Sequence, residues 1–338
     1  MTSSSLDRLR LALVGTGFWS RFQIPAWKEV SGAQLVALCD RDVAKAREAA
    51  ARFGVEKVYG DADEMLARET LDFVDIAANP EAHLPLVLLA ARHKKPVICQ
   101  KPMAFSLSDC ERMVSVCREA GVPLFIHENF RRQAPMRRVH DVLRSGRIGK
   151  PIRAHIQYAH GPLTLYDNQP YLYTQPHFAL FDMGPHFLDL PRFFFGEPRT
   201  LFAHEQRVHP KFTGEDVVSV QLTYDAMSCH AEMSWRTTGY EVFVEGTKGT
   251  VQWGPDRRFT VEDASGVSTE SLAPRPYAWA DPRYGFAHSS IVDTNAHLLA
   301  ALRGEIACET TGEDNLRTMR LVVASVDSAA RGEAIRVG

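Results

Sequence analysis

Short apolar runs punctuate the first part of the chain. Leu9 to Val14, Leu35 to Cys39, Phe73 to Ile76, Pro96 to Cys99 and Pro123 to Ile126 have the length and continuity of strands buried on both faces. Between them lie segments with helical spacing. Val43 to Phe53 (VAKAREAAARF) is rich in alanine and stops at Gly54, a residue suited to a left-handed helix end, while Ser106 with Asp109 has the form of a capping box for a helix that stops before Gly121. Strand and helix alternating in this way predict a parallel, doubly wound sheet.

After residue 127 the period changes. Ile152, Ala154, Ile156 and Tyr158 alternate with Arg153, His155 and Gln157, the pattern of a strand with one wet face. Further strands are expected at Val217 to Tyr224, Met227 to Trp235, Tyr240 to Glu245, Thr250 to Trp253 and Phe259 to Glu262, separated by turns that contain glycine. Two late helices, Ile291 to Leu302 and Glu313 to Ala330, carry apolar stripes that suit them to cover a sheet. The stretch 160–184 mixes Tyr, Phe and Pro without a period, and irregular stretches of that length are commonly functional. The expected fold is α/β: an N-terminal Rossmann domain over 1–127, and a C-terminal α+β domain over 128–338 with an open, largely antiparallel sheet. The last helices are expected to pack back on the first domain.

Composition narrows the classes of function. A chain of 338 residues with 45% hydrophobic and 24% charged positions has globular proportions and is long enough for two cores. It contains no uninterrupted apolar run of the roughly 18 residues that cross a bilayer. MTSSSLDRLR lacks the apolar stretch of a secretory signal, and the six cysteines, Cys39, Cys99, Cys110, Cys117, Cys229 and Cys308, show no CxxC spacing. A cytoplasmic protein with reduced thiols is the expectation, and no spacing implies a metal or a flavin. A net charge of −2 without a basic block argues against nucleic acid and leaves a small molecule as the expected partner.

Candidate chemistry begins after the first strand, where Gly15, Thr16, Gly17, Phe18 and Trp19 form a GxG turn. Gly15 suits the tight turn and Gly17 the close approach of a pyrophosphate, although Ser20 stands where the third glycine of the dinucleotide fingerprint belongs. Asp40 ends the second strand, about 20 residues on, where a carboxylate accepts hydrogen bonds from a ribose diol. Asp40 repels a 2′-phosphate and Arg41 attracts one, a balance that favours NAD over NADP. Ligands of such sheets lie beyond the carboxyl ends of the strands. There the chain places Asn79 and His83, then Gln100, Lys101 and Pro102, then His127, Glu128, Asn129 and Arg131. In the second half, Pro185 suits the first turn of a helix, which puts His186 near its start with Asp182 and Asp189 within reach. A histidine oriented by a carboxylate is the usual base for a hydroxyl proton. Asn129, Arg131, Tyr158, Tyr166, Gln175 and His177 are candidates for reading the hydroxyls of a substrate, and each has an ordinary structural reading of at least equal weight.

Together these residues resemble the Gfo/Idh/MocA family of nicotinamide-dependent sugar and cyclitol oxidoreductases, from the GTGFW turn to the last helix. The resemblance maps the Lys-Pro of the family's Glu-Lys-Pro motif onto Lys101 and Pro102, and its Asp-x-x-x-His pair onto Asp182 and His186. It maps the Thr-Pro-x-x-x-His stretch onto Asn79 to His83. It implies that Lys101 bridges the nicotinamide ribose and the reacting oxygen, and that His186 is the base. Gln100 departs from the motif, since an amide cannot supply the carboxylate's charge. Tyr277 to Pro282 (YAWADP), Thr310 to Asn315 (TTGEDN), the QKP variant and His127-Glu128-Asn129 resemble the branch that contains D-apiose dehydrogenases. That branch implies oxidation of an aldose at its anomeric carbon to a lactone. The alternatives are an inositol-type cyclitol dehydrogenase, an enzyme with permanently bound NADP that exchanges sugars, and a cofactor-sensing regulator without turnover. A homodimer or homotetramer, paired through the open sheet, is expected from the same resemblance.

Overall fold

The computed structural model describes residues 8–159 and 169–337, so Tyr166 and the first part of the irregular stretch lie outside the described residues. The first half is a six-stranded parallel sheet built from β1 (Leu9–Val14), β2 (Ala33–Cys39), β3 (Lys57–Tyr59), β4 (Phe73–Ile76), β5 (Val97–Gln100) and β6 (Leu124–His127). Its order, β3-β2-β1-β4-β5-β6, reverses direction between β1 and β4, which is the Rossmann arrangement. Helices α1 (Ser20–Lys28), α2 (Val43–Phe53), α3 (Ala62–Arg68), α4 (His83–Arg92) and α5 (Leu107–Ala120) connect the strands. Their ends are set by side chains that the sequence displays. Asp42 accepts the amides of Ala44 and Lys45, Ser106 accepts that of Asp109, and Gly54 and Gly121 close their helices at φ +64° and +69°.

The second half contains α6 (Ala134–Arg144), β7 (Pro151–Ala159), α7 (Phe178–Asp182), α8 (Gly184–Phe195), β8 (Thr200–Gln206), β9 (Val217–Thr223), β10 (Ser228–Ser234), β11 (Gly239–Gly246), β12 (Gly249–Trp253), β13 (Arg258–Asp263) and β14 (Gly266–Ser271). Then come α9 (Gly285–Leu302), α10 (Gly312–Arg331) and β15 (Ile335–Arg336). Nine strands form one sheet in the order β14-β13-β12-β11-β7-β10-β9-β8-β15. All its pairings are antiparallel except β7 with β10, so the sheet is largely antiparallel, as its alternating pattern predicts. One face is packed through Ala154, Ile156, Val218, Val220, Ala231, Met233, Val242 and Val244. The other carries half-exposed polar residues, among them His155 with Glu232 at 2.9 Å and Arg153 with Glu245 at 2.6 Å. β14 is exposed along its whole length and has no apolar alternation, and β3 has three residues; neither leaves a periodic signal.

The chain folds into two compact units, 1–129 with 275–316 and 130–274 with 317–338. The segment 275–316 thus belongs with the Rossmann sheet, whereas a single boundary at 127 assigns it to the second domain. Its reason is packing: Ile291, Val292, Leu298 and Leu299 of α9 share a core with Leu11, Leu13, Ile24, Trp27 and Phe73. α9 also begins six residues before the predicted Ile291, at Gly285, because His288, Ser289 and Ser290 are buried polar residues that hide the helical period.

Candidate active site

The glycine turn follows β1, and its geometry needs glycine at one position for the chain's own sake. Gly15 has φ +102°, and a Cβ there would stand 2.5 Å from the backbone nitrogen of Ala78. Apart from its chain neighbours, a Cβ at Gly17 would meet no atom of the described residues within 4 Å, so packing does not demand this second glycine. Asp40 organises the turn from the end of β2. Its Oδ2 accepts the Thr16 amide at 2.7 Å and the Thr16 hydroxyl at 3.0 Å, and its Oδ1 accepts the Asp42 amide at 2.9 Å. Ser20, in place of the third glycine, is buried and ties the turn to α1 by donating to the Gly17 carbonyl at 2.7 Å. Phe18 and Trp19 both lie edge-on to Phe22, which itself stacks on His288 at 4.1 Å. Burial drives His288 down to about 4, so its ring is neutral at physiological pH and its Nδ1 accepts the Asp281 amide. The turn, with Asp40, has the donors and the open approach that suit a dinucleotide. Arg41 is exposed beside it.

Beyond β4 and β5 the structure separates residues that the sequence groups together. Lys101 follows β5, half-buried, with a cis peptide bond to Pro102. Asn79, which is exposed, opens the turn at Pro80. His83, expected to face the ligand, points into the protein instead. It is fully buried, with Nδ1 3.0 Å from the Pro102 carbonyl and 3.2 Å from that of Met103, and Nε2 3.1 Å from the Ala78 carbonyl. Its ring braces the Lys101–Pro102 turn against the end of β4. Asn129 likewise points inward: it is 1% exposed and its amide donates to the Ala287 carbonyl at 3.0 Å and to Ser290 Oγ at 2.9 Å. It anchors α9 rather than presenting an amide to a substrate.

Gln100 sits in a buried polar chain that no motif reveals. Its Nε2 donates to Gln23 Oε1 at 3.3 Å, and Gln23 Nε2 donates in turn to Asp75 Oδ2 at 2.7 Å and Asn295 Oδ1 at 3.2 Å. Trp27 Nε1 adds a 2.5 Å bond to the same Asp75 oxygen, and His127 Nε2 lies 2.9 Å from Asn295 Oδ1. Burial pushes the Asp75 carboxyl up to about 6, against the opposing pull of the Trp27 and Gln23 donors. The available signal was an acid inside FVDI, an otherwise apolar strand.

In the second unit, Asp182 ends α7 and is half-buried, while His186 lies in the first turn of α8 behind Pro185. The two residues stand on either side of the break at Met183. His186 is 3% exposed and stacks flat on Phe130, with ring centres 3.9 Å apart and planes within 7°. Asp189 does not serve the histidine. It is 1% exposed and accepts both Arg131 Nε and Arg131 Nη2, the latter at 2.7 Å, together with Thr318 Oγ1 at 2.7 Å and Arg192 Nη1 at 3.4 Å. Arg131, expected to read substrate, is thereby held in a buried ion pair. Tyr158 is half-buried within a ring cluster with Phe187, Trp235 and Tyr240. Gln175 is half-buried at the end of the turn Pro170–Thr174.

His177 lies 3.8 Å from Glu215, whose carboxyl burial raises to about 7. With Glu205 they form a group whose ligating atoms lie within 4.8 Å of one another, an arrangement able to hold a cation. Sequence spacing does not show it, because its members come from three separate segments.

Comparison with known proteins agrees with this architecture. Residues 9–128 match the oxidoreductase family with an NAD-binding Rossmann fold, and residues 136–252 match the GFO/IDH/MocA C-terminal domain. D-apiose dehydrogenase of Paraburkholderia graminis is 38% identical over 99% of this chain and 92% of its own length. That of Rhizobium rhizogenes is 38% identical over 99% of both. The crystal structure of an oxidoreductase from Agrobacterium radiobacter in complex with NAD+, L-tartaric acid and magnesium superposes with a TM-score of 0.95 at 37% identity, covering 98% of this chain and 99% of that one. The chain therefore belongs to the Gfo/Idh/MocA family, as an NAD(P)-dependent oxidoreductase of CH–OH groups within a family that acts on small sugars and cyclitols.

Proposed function

We propose that this enzyme oxidises the anomeric hydroxyl of a small cyclic aldose, D-apiose being the favoured case, to the corresponding lactone with NAD. The observation that carries this reading is the likeness, over nearly the whole of both chains, to two D-apiose dehydrogenases. Gly15 to Trp19 would hold the pyrophosphate, and Asp40 the adenosine ribose, with Asn79, Gln100 and Lys101 at the nicotinamide end. Asp40 beside the turn favours NAD over NADP, since a carboxylate there repels a 2′-phosphate. NAD, when bound, accepts the hydride that leaves the substrate's C1. The His186 imidazole takes the hydroxyl proton as the carbonyl forms, and Asp182 steadies the resulting imidazolium. The Lys101 ammonium donates a hydrogen bond to the substrate oxygen and favours the developing negative charge. The substrate loses one hydride and one proton, which balances the conversion of hemiacetal to lactone.

The test is reduction of NAD and of NADP by a panel of aldoses and cyclitols, repeated with Lys101→Met and His186→Ala. Each substitution is expected to lower kcat by about 100-fold or more, as loss of a positioned acid or base does, while NADH still binds. Wild-type turnover in both variants sinks the assignment. Preference for inositols over aldoses replaces the substrate class, and binding of NADH without turnover of any polyol replaces the enzyme by a sensor.

A further inference from the structure

The substitution of Gln100 for the motif carboxylate has a physical counterpart in the core. We propose that Asp75 is a positioning residue that acts through Gln23 to set the polarity of the Gln100 amide, so that its carbonyl oxygen is presented at the carboxyl end of β5. The inference rests on Lys101 being the residue that works beside it.

One acceptor sets the direction of the whole chain of bonds. An ionised carboxylate can only accept hydrogen bonds, so Asp75 Oδ2, bound by Trp27 Nε1 at 2.5 Å, must receive the amide nitrogen of Gln23. The second Gln23 hydrogen goes to Asn295 Oδ1 at 3.2 Å, a bond that reinforces the same orientation. Gln23 therefore turns its oxygen toward Gln100 and accepts that residue's Nε2 at 3.3 Å. An amide that spends its nitrogen inward offers its oxygen outward. Gln100 is 6% exposed and pairs in register with His127 at the end of the parallel sheet, one residue before Lys101. It thus supplies an acceptor where the Glu-Lys-Pro motif supplies a carboxylate oxygen, and the formal negative charge stands two links deeper, on Asp75. Asp75 and Gln23 are 0% exposed, so water does not compete for these bonds.

The relay predicts a sign, not merely a loss. Trp27 Nε1 and Gln23 Nε2 both donate to Asp75 Oδ2, so an asparagine at 75 places its oxygen there and keeps the relay, whereas Asp75→Leu removes the acceptor and leaves the direction of Gln23 and Gln100 unset. Gln100→Glu alone sets a carboxylate oxygen against Gln23 Oε1. Asp75→Leu and Gln100→Glu are each expected to lower kcat on the best substrate about tenfold, the worth of one misdirected hydrogen bond, and Asp75→Asn to stay within about threefold of the parent. Gln23→Met cuts the chain in the middle, and in that background Asp75→Leu is expected to lower kcat no further. A loss in Asp75→Asn equal to that in Asp75→Leu, or an Asp75→Leu effect that survives Gln23→Met, overturns the relay, because the first assigns the effect to charge and the second to a merely structural aspartate.

The same cycle is read in NADH affinity and in the emission of bound NADH, which need no turnover. A parent that binds NADH but oxidises no polyol defeats the functional reading alone. Retention of affinity and emission in Asp75→Asn, with their loss in Asp75→Leu only where Gln23 is present, then still supports the relay, and equal losses in both replacements still overturn it. Thermal melts of every variant accompany the cycle, and the comparison uses those that unfold cooperatively.

Discussion

Two buried polar clusters, one in each unit, treat a carboxylate in opposite ways. Asp189 in the second unit is met by two guanidinium groups, Arg131 and Arg192, and by the Thr318 hydroxyl. Asp75 in the Rossmann unit is met by the neutral donors Gln23 and Trp27, and its Oδ1 has no hydrogen-bond partner among the described residues. The first arrangement balances charge and ties Phe130's neighbour Arg131 to α8, the helix that begins next to His186. The second leaves a charge uncompensated and gains a direction, because neutral amides between a fixed acceptor and Gln100 can point only one way. A buried ion pair thus reports on holding elements together, and a buried lone acid with an amide chain reports on orientation.

The contrast is broken most forcefully at Arg131. Arg131→Met keeps the length of the side chain but leaves Asp189 with Arg192 at 3.4 Å as its remaining guanidinium. Removing one partner of a buried pair costs about 3–5 kcal/mol, and the survival of Arg192 puts the expected loss near the lower end. Urea denaturation measures it. A loss below about 1 kcal/mol would mean that Arg192 alone compensates the aspartate, and the distinction between the clusters would fall.

Asp75 sharpens the contrast through pH. Its carboxyl is raised from 3.8 to about 6 by burial, so between these values the folded protein holds a proton there that the unfolded chain has released. The stabilisation from this group is fully present below about pH 4 and is lost as pH rises through about 6. Asp75→Asn cannot titrate. Relative to the parent it should gain stability between about pH 4.5 and about pH 8 by up to roughly 3 kcal/mol, following the shift of about two units. Denaturation curves for both proteins at the two pH values give the difference directly. A constant offset between them would show that Asp75 is not carrying a shifted proton.

Much of this was legible in the residues, and the remainder was hidden for identifiable reasons. The apolar runs from Leu9 to Ile126 and the alternation from Ile152 to Tyr158 mark strands of the two sheets, because burial on two faces and on one face leave different periods. The glycine turn and Asp40 stand together as the spacing predicts. Polar residues after strands were harder to read. Asn129, Arg131 and His83 have the chemistry of ligand readers, yet each is satisfied inside the protein. Two of the partners, Ser290 and Asp189, are far along the chain from Asn129 and Arg131, where local pattern carries no information. The stretches 277–282 and 310–315, which carry family likeness, have structural roles in the first unit. Tyr277 stacks on Trp279 at 5.3 Å, and the Thr310 carbonyl accepts the Ile126 amide at 2.8 Å. Such contacts explain why these stretches signal ancestry more strongly than substrate.

The smallest effect is expected where charge is displayed rather than enclosed. Arg153 on β7 reaches Glu245 on β11 at 2.6 Å across the polar face of the second sheet, with the arginine side chain 68% exposed. Water solvates both ends of this pair already, and ordering two long side chains costs entropy, so an exposed bridge of this kind is worth about 0–1 kcal/mol. Arg153→Ala should therefore shift the urea midpoint little, and about 0.5 M salt should remove what shift there is, since the Debye length falls to about 4–5 Å. The same variant also tests whether this face stands alone. If a second copy of the chain covers it, as the expected pairing through the open sheet requires, Glu245 loses its cation in an enclosed interface. The cost would then rise toward that of Arg131→Met and would depend on protein concentration, which equilibrium sedimentation of the variant beside denaturation at two concentrations would reveal.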